Sequence, residues 1–112
     1  MTNPLERTIK QQTLALLGTR TDLRIWNNPT GVGLSPSGHV IRFGLPGSPD
    51  LIGLMHDGTF LGIEVKSATG RQRPAQKNFQ RMIESMNGVY LLVRSAEDAL
   101  SQLQARGYCV ST

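Results

Sequence analysis

Two apolar stretches, Asp50 to Met55 and Thr59 to Ser67, stand on either side of His56-Asp57-Gly58. Such runs, bounded by turn residues and joined through a glycine, read as an antiparallel hairpin. The length of the turn then decides which side chains share a face, because a slip of one residue turns every side chain over. A two-residue Asp57-Gly58 turn pairs Asp50 with Val65 and puts Asp50 on the opposite face from Glu64. A three-residue loop, with Gly58 in the left-handed region, pairs Asp50 with Glu64 directly. Glycine at the third loop position suits that bulged turn, so the three-residue loop is the expectation. Glu64 and Lys66 flank Val65 in Phe60-Leu61-Gly62-Ile63-Glu64-Val65-Lys66, and strand alternation places both on one face.

The surrounding elements follow from caps and periodicity. Asn3-Pro4 starts a helix that runs to about Leu17 and ends at Gly18, with Leu5, Ile9, Leu16 and, at the margin, Ala15 toward the core. Leu23 to Asn27 is a short strand, broken by Asn28-Pro29-Thr30-Gly31. Gly31 to Ser37 reads as a loop, His39 to Phe43 as a strand, and Gly44 to Pro49 as a stiff turn. Pro74 to Met86 is a helix, its residues Phe79, Met82, Ile83 and Met86 spaced as one apolar face. Val89 to Val93 is a strand buried on both faces. Ser95 with Asp98 caps a last helix, Ala96 to Arg106, and Tyr108 to Val110 adds a short edge strand. The expected fold is α/β: a central mixed sheet flanked by helices, with parallel pairing across the strand-helix-strand unit from Thr59 to Val93.

The chain has 112 residues, one domain's worth, and a net charge of +4. Lys66, Arg71, Arg73, Lys77 and Arg81 follow one another with no acid between them. On a helix, Arg73, Lys77 and Arg81 form one stripe, which suits a phosphate backbone or simply a solvated face. The single cysteine, Cys109, allows no disulfide within the chain and no cysteine-based metal site. No signal-like start or membrane-length apolar run stands out, so a soluble cytoplasmic protein is the expectation.

Asp50, Glu64 and Lys66 carry the chemistry. Two carboxylates side by side repel, and a divalent cation relieves both. Magnesium takes one or two carboxylates together with waters and a substrate phosphate. A lysine beside it orients or helps deprotonate the attacking water and contacts the phosphate. Glu-x-Lys alone is most often a surface ion pair. Pro49-Asp50 followed fourteen residues later by Glu64-Val65-Lys66, on hairpin strands, is far more specific.

These segments resemble the virus-type replication-repair nuclease family, VRR-NUC, a branch of the PD-(D/E)xK superfamily. The resemblance runs through residues 47–53, 62–71 and 73–76, then Gly88, Val93-Arg94-Ser95 and the Asp98-Ala99 helix. It implies a restriction-endonuclease-like core and a magnesium or manganese site of Asp50, Glu64 and the Val65 backbone carbonyl. It makes Lys66 the catalytic lysine and gives Gln76 a contact to the site or the substrate. Glu6 resembles the superfamily's additional acidic metal residue, although an acid near a helix N-terminus is favourable on its own. Arg71, Arg73, Lys77 and Arg81 would meet DNA. Single-domain members resemble homodimeric Holliday-junction resolvases of phage or bacterial origin acting in DNA repair. The rivals are a flap or duplex nuclease of the same chemistry and a nucleic-acid-binding module that never cuts.

Overall fold

The computed structural model describes residues 4–110; Asn3, the expected helix cap, lies outside them. Within them the chain forms helix α1 (Pro4–Gly18), strands β1 (Leu23–Asn27), β2 (Gly31–Leu34), β3 (Val40–Phe43), β4 (Leu51–Met55) and β5 (Phe60–Val65), helix α2 (Pro74–Ser85), strand β6 (Val89–Val93) and helix α3 (Ala96–Ala105). They build a four-stranded sheet of order β1-β4-β5-β6 and a separate two-stranded sheet of β2 and β3. β4 is antiparallel to both β1 and β5, while β5 and β6 are parallel across α2. The expected mixed sheet flanked by helices is therefore present. No helix among the described residues is long and apolar enough to cross a membrane.

The hairpin closes on three residues. Met55 N–H donates to the Thr59 carbonyl at 2.9 Å, and Gly58 N–H donates back to the Met55 carbonyl at 2.9 Å. Gly58 has φ +87°, a conformation that side-chain-bearing residues rarely adopt. The resulting register pairs Leu51 with Ile63 and Leu54 with Phe60. One step further along it, Asp50 stands opposite Glu64.

Alternation then gives the sheet two unlike faces. Leu51, Leu61, Ile63, Val65, Leu91 and Val93 gather with Ile9 and Leu17 of α1 and Ala99 and Leu103 of α3 in the hydrophobic core. Gly62, Glu64 and Tyr90 turn the other way, toward α2. Gly62 has to be glycine there: a Cβ would meet Pro49 Cγ at 2.6 Å and Ile83 Cδ1 at 3.3 Å.

Four expectations are corrected. The buried face of α1 is Ile9, Thr13 and Leu17, while Leu5, Ala15 and Leu16 are exposed. Leucines occur all round this helix, so its apolar pattern alone does not choose the face. Thr13 is tolerated inside because its hydroxyl donates to the Ile9 carbonyl at 2.8 Å. Second, residues 31–34 are not loop: β2 pairs with β3 from Gly31–Phe43 to Leu34–Val40, a strand masked in sequence by its two glycines. Third, Tyr108 to Val110 forms no strand, and Cys109 adopts φ +54°. Fourth, only Ile83 of the expected apolar face of α2 is buried; Met82 and Met86 are exposed.

Candidate active site

Asp50 enters β4 from the Gly44–Pro49 turn, and Asn28 fixes how it enters. The Asn28 backbone N–H donates to the Asp50 carbonyl at 2.9 Å. Its side-chain Nδ2 donates to Ser48 Oγ at 2.9 Å and to the Pro49 carbonyl at 2.8 Å. Asp50 Oδ2 in turn accepts the Val65 N–H at 2.7 Å, which ties the acid to the strand carrying Glu64 and Lys66.

Glu64 is 2% exposed and Lys66 6%, an unusual depth for two charged residues. Lys66 Nζ lies 3.7 Å from Glu64 Oε2. Gln76, in the first turn of α2, donates its Nε2 to the same Glu64 oxygen at 2.9 Å. Its Oε1 accepts the Arg73 N–H at 2.8 Å, so one side chain both closes the start of α2 and holds the acid. The other carboxyl oxygen, Glu64 Oε1, is buried and has no hydrogen-bond partner. Burial, and then the charge of Asp50, push the Glu64 carboxyl up to about 8, against the opposing pull of Lys66.

The loop after β5 is held from both sides. Glu6 Oε2 accepts the Ser67 N–H at 3.1 Å. Arg94 Nη1 donates to the Ser67 carbonyl and, at 2.9 Å, to the Gly70 carbonyl. Helix α1 and the residue after β6 thus hold Ser67, next to Lys66, by its N–H and by its carbonyl.

These groups open onto a cleft of about 650 Å³. Glu6, Asp50, Glu64, Lys66, Arg73 and Gln76 line it on one side, and Gly31, Val32 and Phe43 at the base of the β2–β3 arm line another. The structure therefore brings together Asp50, Glu64, Lys66, Gln76, Glu6 and Arg73. Arg71, Lys77 and Arg81 are exposed but lie outside the cleft lining, and Arg81 Nη1 is turned to Asn78 Oδ1 at 2.8 Å. His39 and His56 are exposed and outside it as well.

Among the described residues, no group of three or more His, Cys, Asp or Glu side chains is placed to hold a metal ion. The two opposed carboxylates nevertheless match the donor set that magnesium uses, since it keeps several waters of its own. The buried, unpartnered Glu64 Oε1 is the observation that fits a cation: a hard oxygen donor lacking the partner that burial demands.

Sequence reading missed three contributors. Tyr90 is buried on the Glu64 face, and its hydroxyl accepts from Gln72 Nε2 at 3.1 Å. Burial raises its ionisation well above the ordinary tyrosine range, and the charges of Glu64 and Asp50 raise it further. Val89 to Val93 read as a plain core strand, yet alternation alone would have put Tyr90 on the same side as Gly62. Asn28 read as turn chemistry, and Arg94 stood only within the Val93-Arg94-Ser95 stretch of the resemblance, with no role of its own. Compared with known protein families, with curated proteins and with solved structures, the chain has no match.

Proposed function

We propose that this chain is a magnesium- or manganese-dependent endonuclease that hydrolyses DNA phosphodiesters, built on a PD-(D/E)xK core of the VRR-NUC type. The observation that carries this reading is the pairing of Asp50 with a buried Glu64 that has one oxygen free, with Lys66 Nζ 3.7 Å from the other. A purely structural ion pair has no use for a second carboxylate opposite the first, because like charges so placed destabilise each other.

Asp50, Glu64 and the Val65 carbonyl would hold the cation. A cation held there would supply Lewis acidity toward water and toward the phosphate. Gln76 fixes Glu64 Oε2 and leaves Oε1 to donate. Lys66 presents N–H groups to a phosphate oxygen or to the attacking water, supplying positive charge where negative charge develops. Arg73 draws the phosphate into the cleft, and Arg71, Lys77 and Arg81 meet the flanking backbone, which makes binding salt-dependent. Glu6 holds the Lys66–Ser67 loop and lies within the cleft as a further acid. The substrate proposed is a four-way junction met by a homodimer, since two sites related by a twofold axis suit two strands related in the same way.

One observation favours a second reading, a module that binds nucleic acid without cutting it: the absence of a third ligand side chain at the site among the described residues. A cleavage panel of synthetic four-way junctions, flaps and plain duplexes, with magnesium or manganese, decides between them. Paired cuts across the junction, lost by about 10³-fold in Lys66→Ala while binding persists, are the expected result. A preference for flaps would remove the resolvase assignment and keep the nuclease. No cleavage by the parent chain, with binding intact, would leave the binder.

A further inference from the structure

The β2–β3 arm is the least supported part of the molecule. Its strands pair with each other and touch the rest of the chain only marginally. The radius of gyration is 14.7 Å, above the roughly 13 Å expected for a compact chain of this length. Val32, Leu34, Val40, Ile41 and Phe43 are all exposed, with Leu34 at 72%. Pairing of Leu34 with Val40 and of Val32 with Arg42 puts three of these apolar side chains on one face of the ribbon. A two-stranded ribbon is marginal in water by itself, and an uncovered apolar one has nothing to hold it.

The same chain carries an uncovered apolar groove of about 540 Å³ between α2 and strands β4 and β5, lined by Leu45, Ile52, Phe60, Phe79, Met82 and Met86. Met86 is 74% exposed, although the helix pattern marks it for burial. No charged side chain lines this groove, so it suits apolar side chains and not a phosphate backbone. Asn28, Gly44 and Leu45, the residues that bracket the arm, form part of its rim. The arm of a molecule therefore springs from the edge of its own groove.

We infer that the occupant of the groove is the arm of a second copy, so that two chains exchange arms about a twofold axis near that rim. Arm and groove lie side by side on one chain, which is what a self-complementary interface requires. Each chain offers such a contact exposed apolar side chains on both surfaces, Val32, Leu34 and Val40 on one face of the arm and Leu45, Phe60, Met82 and Met86 around the groove, the apolar centre that a standard interface of ~800 Å² per partner is built on. Thr30, Gly31, Val32 and Phe43 of the arm wall the cleft that holds Asp50 and Glu64. Docking the arm on the partner thus fixes a wall of each site. This deepens the dimer proposed above by naming its contact surfaces, and it rests on that reading only where the cleft is called catalytic.

Sedimentation equilibrium of the full chain at micromolar concentrations tests it without any need for cleavage. A dimer is expected, with Leu34→Asp and Met86→Asp each raising its dissociation constant by a factor on the order of 100. Both positions are exposed, so the melting temperature measured at concentrations where the parent is monomeric should not move. Mixing a Leu34→Cys chain with a Met86→Cys chain, both carrying Cys109→Ala, should give the mixed disulfide. A parent that stays monomeric overturns the inference, as does a dimer indifferent to both aspartates. Preferential Leu34→Cys self-crosslinking would mean that arm pairs with arm, and overturns it too. Loss of DNA binding in Leu34→Asp with the mass unchanged would reassign the arm to nucleic acid. A stable dimer that never cuts DNA would sink the nuclease reading and leave this one standing.

Discussion

Ile63 and Val65 turn beneath α1 and α3 into a closed apolar cluster, whereas Glu64 and Lys66, each one residue along, turn beneath α2 into a cleft. The same strand therefore serves cohesion on one side and, on the other, carries the buried charges of the proposed site. On the first face the neighbours are apolar save Thr13, whose hydroxyl is satisfied by the Ile9 carbonyl, and burial is gained at little cost. On the second, a carboxyl and an ammonium group are buried at the cost of desolvation, with an oxygen left unpartnered. The comparison teaches that adjacent substitutions in β5 should have unrelated consequences.

The sharpest break is Ile63→Ala, which removes a fully buried side chain and should cost about 3–4 kcal/mol of stability, read from urea unfolding. A cost below ~1 kcal/mol would mean that the first face is not the core.

Glu64→Gln should behave in the opposite way. The Glu64 carboxyl titrates at about 8 in the folded chain, above its ordinary 4.5. Folding therefore favours its protonated form, and the stability that form contributes is full below about pH 4.5 and lost as pH rises through about 8. The glutamine variant should match the parent near pH 4.5 and exceed it above pH 8 by something on the order of 3 kcal/mol, in the absence of divalent cations. Parallel pH–stability curves for the two proteins would show that Glu64 is not held under strain. Smaller again, Gln76→Ala removes a donor to Glu64 and an acceptor for the Arg73 N–H, and should cost about 1 kcal/mol in the same unfolding measurement. Lys77→Ala, at an exposed position of α2, should change stability by less than ~0.5 kcal/mol and lower the salt slope of DNA binding by about 0.9.

Legibility in the sequence followed the same division, with one reversal. The functional face was readable because its placement is local: Gly58 fixes the loop, the loop fixes the register, and the register sets Asp50 against Glu64. Gln76 was legible only through the family resemblance, because its place on the helix wheel, between the basic and apolar faces, assigns it nothing. The supporting parts were harder. Thr13 displaced Leu16 inside α1 because a hydroxyl bonded to the preceding turn is cheaper to bury than the leucine pattern suggests. β2 was hidden because Gly31 and Gly33 erase the alternation that marks a strand. Tyr90, Asn28 and Arg94 act through partners distant in the chain, and no spacing rule joins Arg94 to Ser67.

That last contact has a temporal side. The peptide at Ser67 is gripped by Glu6 and Arg94, which sit near the first and last thirds of the chain. A ribosome adding roughly 5–20 residues per second releases Lys66 a few seconds before Arg94. A nascent polypeptide therefore carries its acids and its lysine for that interval with half the clamp missing, and it closes the clamp only once the end of β6 has emerged.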